Sequence, residues 1–230
     1  MEPMSASPPA RGELRFNLLG FPVRVQPFFW LTAAVLGASA GDPARIGAWI
    51  AVVFVSVLVH ELGHAMAARL FGSPAQIMLH GFGGLTVHRP MSSQWRSIAV
   101  SLAGPFAGFA LAAVTFGVAV ILPASPGLVE TLFQFLLFVN VGWGVVNLLP
   151  VLPLDGGQVA RSAFRLVSPT NGDRWALALS LIMAGAIVVL ALSQGLILMG
   201  VLFGVLAWSS IQGLQRPQTA VTSSDDAPLR

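Results

Sequence analysis

His60-Glu61-Leu62-Gly63-His64 places two imidazoles and a carboxylate inside a run that otherwise reads as an apolar helix. Residues four apart on a helix lie one above the other, so His60 and His64 can grip a single metal ion from one face. Glu61 projects about 100° round from His60, beside a water that such an ion would hold. Two neutral imidazoles suit zinc, and the neighbouring carboxylate suits a general base in hydrolysis. At this composition the pattern arises by chance in roughly one chain in a thousand. The bland alternative is a trio of polar residues satisfied by neighbouring hydroxyls and carbonyls.

The flanks set the scene for that chemistry. Residues 46–58 are apolar except for Ser56, and the helical pattern continues to Phe71. Ionisable groups are costly inside a membrane span, and where they occur they usually serve function. Composition agrees: 55% of residues are hydrophobic, 9% are charged, and the mean hydropathy is +0.79. These values describe an integral membrane protein. All twelve basic residues are Arg, scattered along the chain, and the net charge is only +3. That pattern does not suggest nucleic-acid binding. With no Cys, disulfides and thiolate metal ligation are excluded. Residues 1–15 lack the apolar core of a signal peptide, so the first hydrophobic run is expected to remain as a span.

The elements that must position the motif can be read in order. Residues 1–26 read as a polar cytoplasmic tail followed by a short extended segment over 21–26, bounded by Pro22 and Pro27. Six spans follow within a core over 27–214, at about 27–40, 45–71, 97–122, 128–148, 175–192 and 196–214. The first is short for crossing ~30 Å. Between the second and third, residues 75–90 change to β-branched, apolar and glycine residues, predicting a β-hairpin or re-entrant loop. Bare strand edges cannot face lipid, so this hairpin must pack on protein or border a watery cavity. Its edge can pair with an extended substrate. A short helix is predicted over 158–167, and residues 215–230 read as a flexible polar tail. The fold class is therefore a polytopic α-helical membrane protein with a small β-hairpin or sheet.

Arginines give an orientation. Eleven of the twelve fall in connections that alternate to one side, and only Arg45 lies on the other. The positive-inside rule then puts both termini in the cytoplasm, most simply of a cell membrane. His64 precedes Arg69 by five residues, about 8 Å along a helix, so the motif lies nearer the cytoplasmic face. Asp155 follows the fourth span at that same face. Two distant segments thus converge on one depth, as two histidines plus a carboxylate require for zinc, with water in the fourth position. Alternatively, Asp155 caps the short helix after it.

At these residues the chain resembles the site-2 protease family of intramembrane zinc metalloproteases. The likeness rests on His60-Glu61-Leu62-Gly63-His64 in one span and Asn147-Leu148-Leu149-Pro150-Val151-Leu152-Pro153-Leu154-Asp155-Gly156-Gly157 after another. Gly81-Phe82-Gly83-Gly84 and Ala103-Gly104-Pro105 also look like the family's, and the likeness covers roughly residues 20–213. The resemblance implies one Zn2+ per chain held by His60, His64 and Asp155, with Glu61 as the base activating the zinc-bound water. It also implies that Asn147 lies near the scissile carbonyl, where an amide can donate to the developing oxyanion. Many relatives carry Asn where this chain has Gly108. No connection is long enough for the PDZ insertion or nucleotide-sensing domains that many relatives carry, so the chain resembles a minimal catalytic core.

The implied activity is hydrolysis of peptide bonds in or near transmembrane segments, as in regulated intramembrane proteolysis. Partners would be single-span membrane-protein substrates, the bilayer, and a regulatory membrane protein or a second copy of the chain, with no nucleic acid. Gly156 and Gly157 could help form a mouth for water. Asn140 reads as an interhelical hydrogen-bonding residue. His80 and His88 read as hairpin surface or packing residues, unless one reaches the open metal position. Two rival functions remain, a membrane metal-ion transporter and a catalytically inactive metal-binding scaffold. Transport favours several successive sites and an internal repeat, of which the sequence has neither. A scaffold would not require Glu61.

Overall fold

The computed structural model describes residues 12–122 and 127–215. The elements follow in the order β1 (Leu14–Leu18), β2 (Phe21–Val25), α1 (Pro27–Gly37), α2 (Pro43–Leu70), β3 (Ala75–His80), β4 (Gly83–His88), α3 (Gln94–Ile121), α4 (Leu128–Asn147), α5 (Asp155–Val167), α6 (Gly172–Ser193) and α7 (Ile197–Gln215). Among the described residues α2, α3, α4, α6 and α7 are long and apolar enough to cross a membrane. Residues 216–230, expected as a flexible tail, lie outside the described residues.

α2 starts and stops for local reasons. The Asp42 carboxylate accepts from the N–H groups of Ala44 and Arg45 at 2.9 and 3.0 Å, and Pro43 opens the first turn. Both devices satisfy or remove donors that a helix start leaves unpaired. At the other end Gly72 adopts φ 80°, which ends the helix after Phe71 without a side-chain clash.

The first predicted span is corrected by the structure. Residues 27–40 form an 11-residue helix, α1, and a 3₁₀ turn over Ala38–Ala40. At 1.5 Å per residue α1 extends about 16 Å, roughly half the hydrocarbon thickness. Among the described residues there are five full-length candidate spans and one half-length apolar helix, where the sequence suggests about six spans. The reason lies upstream: the Gln26 N–H donates to the Leu79 carbonyl at 2.9 Å, so the chain is committed to a sheet until Pro27. α1 lies along the N-terminal half of α2, with Phe29 edge-on to Phe54 at 6.3 Å and Gly37 leaving room for the Trp49 ring.

The sheet covers the other half of α2. Its strand order is β1-β2-β3-β4, with β3 and β4 forming the predicted hairpin. β2 joins β3 in parallel, Val23 opposite Ile77, and β1 joins β2 antiparallel. Residues 14–25, read from sequence as tail and extended approach, are thus two strands of the folded unit. Alternate residues Phe21, Val23 and Val25 of β2 and Ile77 and Leu79 of β3 are buried in one apolar cluster with Ala65 and Ala68 of α2. The period-2 pattern of β2 and β3 is the mark of strands with one covered face.

A second apolar cluster closes the opposite end of the chain. Val151, in the turn after α4, is buried between Ala184 of α6 and Phe203 of α7. That packing brings the turn, and the start of α5 behind it, under the α6–α7 hairpin.

Candidate metal centre

Helix geometry brings the first three residues together. His60, Glu61 and His64 are 8%, 5% and 8% exposed, and their ligating atoms lie within 4.8 Å of one another. The Nε2 atoms of His60 and His64 are 3.1 Å apart. Close helix packing makes this possible. Gly104 of α3 lies against the His64 ring where any Cβ would overlap it, and Gly63 meets the Ala103 backbone in the same way.

Asp155 completes the cluster. Its Oδ2 is 3.1 Å from His60 Nε2, and its Oδ1 is 3.3 Å from His64 Nε2. Asp155 is the first residue of α5, and its carboxylate faces the histidines instead of capping that helix. The helix starts three residues earlier than the sequence suggests. Gly156 and Gly157 do not break it because they are buried against the backbones of residues 148–149 and 151–152, where a Cβ would collide. They are packing residues, not the walls of a water mouth.

Protons show why this cluster calls for a cation. His64 Nδ1 lies 2.7 Å from the Val100 carbonyl, which can only accept, so Nδ1 carries the hydrogen and donates it. In the neutral ring Nε2 of His64 then offers a bare lone pair beside a carboxylate oxygen, two acceptors that one positive charge between them, a metal ion or a proton, holds together. The separations of 3.1 to 3.3 Å can be compared with a tetrahedral zinc site. Ligands about 2.0–2.1 Å from zinc form edges of about 3.3 Å. The three donors therefore fit zinc in both type and spacing, and the Val100 carbonyl fixes the His64 tautomer as carbonyls do for metal-bound histidines.

Glu61 stands beside this trio. Its carboxylate Oε2 accepts from Thr86 Oγ1 of β4 at 2.7 Å, and Gly84 of the same strand leaves space for the rest of the group. The turn that delivers Asp155 has its own anchor. The Leu152 N–H donates to Ser180 Oγ at 2.9 Å, and Ser180 Oγ is 2.8 Å from Ser210 Oγ. Both serines are almost fully buried.

The remaining candidates lie apart or do other work. Asn147, half-buried at the end of α4, makes no hydrogen bond to the cluster among the described residues. Asn140 is buried and donates from Nδ2 to Ser56 Oγ and the Leu136 carbonyl, both at 2.8 Å, so it ties α4 to α2 as the sequence predicts. Its amide and His60 share a cavity of about 10 Å³, roughly one water in size. His80 receives the Phe82 N–H and His88 Nδ1 donates to the Arg89 carbonyl, and among the described residues neither lies in the group of side chains close enough to share a metal ion. Sequence reasoning missed Thr86, Ser180 and Ser210, since isolated hydroxyls in apolar segments carry no spacing signal.

A match to known proteins decides the family: residues 48–128 and 123–192 fit the sequence profile of peptidase family M50. The chain belongs to peptidase family M50. Its relatives in this family include sll0528 of Synechocystis sp., named as a zinc metalloprotease, 33% identical over 163 residues that cover 64% of this chain and 42% of that protein. Stage IV sporulation protein FB of Bacillus subtilis is 33% identical over 150 residues, 60% of this chain and 46% of that protein. The M50 chain therefore spans less than half the length of these curated relatives. Its fold is that of the site-2 protease from Methanocaldococcus jannaschii, with a TM-score of 0.64 over 90% of this chain and 97% of the other, at 21% identity. Family and span-length helices together make the chain a multi-pass integral membrane protein.

Proposed function

We propose that this M50 chain is an intramembrane zinc metalloendopeptidase that cleaves peptide bonds in or near transmembrane segments of membrane proteins. The observation that carries the reading is the convergence of His60, His64 and Asp155 at tetrahedral-edge separations with Glu61 alongside. His60, His64 and Asp155 would hold a zinc ion there, which would supply Lewis acidity. Glu61 takes the proton of the attacking water and delivers it to the leaving amine. Asn147, at the last turn of α4 before the ligand turn, donates its amide to the carbonyl oxygen as charge builds on it. A helical substrate hides its carbonyls, so the cleaved stretch must unwind. Among the described residues β4 ends the sheet with one edge unpaired, and an extended segment laid along that edge gains backbone hydrogen bonds.

We assign both termini and the arginine-bearing connections to the cytoplasmic side, most simply of a cell membrane, with water reaching the site from there; the N-terminal strands share that side although α1 is only half-length, because β2 pairs with β3 just beyond the C-terminal end of α2. Arg69 lies in the last turn of α2, and Arg161 and Arg165 lie on α5 in the connection between α4 and α6, the positions that the positive-inside rule turns inward. The core is assigned to residues 27–214 together with the strands before it.

The test uses the full chain in detergent or liposomes with a single-span model substrate. Glu61→Gln is expected to retain about one zinc per chain and to lose cleavage by ~10²–10⁴-fold, the usual worth of a general base. Cleavage at the parent rate by Glu61→Gln would remove the mechanism. Zinc flux across liposomes without cleavage by the parent chain would install a transporter in its place.

A further inference from the structure

Glu61 is a buried carboxylate, and the one side chain that hydrogen-bonds it among the described residues is Thr86. Residues 84 and 86 are two apart on β4 and so face the same side of the strand, toward α2. At 84 there is only hydrogen, and any Cβ there would overlap the Glu61 carboxylate. At 86 there is a hydroxyl 2.7 Å from Glu61 Oε2 and 3.0 Å from the backbone carbonyl of the same residue. Together the two positions form a slot that fits this carboxylate, and Leu85 between them points away and is half exposed.

We propose that Thr86 is a positioning residue for Glu61. From the edge strand it fixes Oε2, so the strand available to an extended substrate also aims the base. The inference rests on the peptidase reading above. A hydroxyl has one proton to donate, and a bond to a carboxylate is about twice as strong as one to a neutral acceptor. The ionised base is therefore the preferred partner of Thr86, which holds the carboxylate in one orientation. When Glu61 takes up the proton of the water, a rotation of the same hydroxyl reaches the Glu61 carbonyl. The Thr86 hydroxyl therefore has an acceptor in either half of the proton transfer. Because β4 pairs with β3 on one side only among the described residues, movement of that edge on substrate docking is transmitted directly to the base.

A β-branched residue in a strand also has a purely structural explanation, which is shape. The two roles predict opposite rankings. Thr86→Val keeps the shape and removes the hydroxyl, and Thr86→Ser does the reverse. Positioning requires kcat to fall ~10–100-fold in Thr86→Val, the usual cost of losing an outer partner, and to stay within about threefold in Thr86→Ser. KM and zinc content stay within about twofold of the parent in both. Equal activity of Thr86→Val and parent, or an equal loss in Thr86→Ser, overturns the proposal. If Thr86→Val fails to retain zinc, Thr86→Ala against Thr86→Ser carries the same comparison, since they differ by the hydroxyl alone. Glu61→Gln run in parallel separates the two readings. Cleavage by that variant sinks the peptidase mechanism, whereas an inert Glu61→Gln beside a fully active Thr86→Val sinks only the role of Thr86.

Discussion

On one side of the cluster, His60, Glu61 and His64 come from five successive positions of a single helix. Asp155 arrives from the other side, 95 residues after His60, at the end of a turn held by α6 and α7. The candidate ligands on α2 owe their separation to helical pitch, and any sequence that keeps the helix keeps the pair. Asp155 owes its place to a tertiary chain of contacts: Val151 in an apolar pocket, Leu152 on Ser180, Ser180 on Ser210, and two glycines that let α5 begin against the turn. A candidate metal site assembled this way has a rigid half and a docked half, so the docked half should yield first to damage outside the site.

The largest effect is expected at the ligands themselves. Asp155→Ala and His64→Ala should each lose bound zinc and cleavage, read by metal analysis of the purified chain. Retention of stoichiometric zinc by Asp155→Ala would mean that α2 suffices and would dissolve the contrast. Removing the metal with a chelator should likewise abolish cleavage, and about one equivalent of zinc should restore it.

Next come the residues that support each half. Gly104→Ala forces a methyl onto the His64 ring, and its zinc affinity, measured by chelator competition, should fall ~10–100-fold. Ser180→Ala leaves the Leu152 N–H without its partner, a cost of ~1–3 kcal/mol. Its signature should be a lower thermal midpoint and faster zinc loss, with residual cleavage by the loaded fraction. An unchanged zinc off-rate in Ser180→Ala would show that the docked half is held by apolar packing alone. The smallest effect is expected at Asn140→Ala, which removes one interhelical bond worth ~0.6–1.7 kcal/mol. It should lower the thermal midpoint slightly with zinc content and cleavage intact.

The legibility of the chain follows the same division. The helix limits of α2 could be read because Asp42, Pro43 and Gly72 act on their immediate neighbours. The β3–β4 hairpin could be read because its two strands are close in sequence. β1 could not, since its apolar and charged residues resemble a tail until β2 pairs with β3 across the whole length of α2. The short first helix was hidden for the same reason, because hydropathy cannot tell how many residues the sheet claims before Pro27.

The sequence by itself determined the ligand types, the spacing of His60 and His64, the carboxylate between them, and the apolar helices that sink them into a membrane. Each of these is a property of composition or of helical pitch, interactions that reach no more than a turn along the chain. Only the tertiary structure decided that Asp155 faces the imidazoles and does not cap α5, that Gly156 and Gly157 are packing surfaces, and that a hydroxyl on β4 grips Glu61. Those outcomes depend on which backbones approach within van der Waals contact across tens of residues, and close approach is settled by the packing of whole elements.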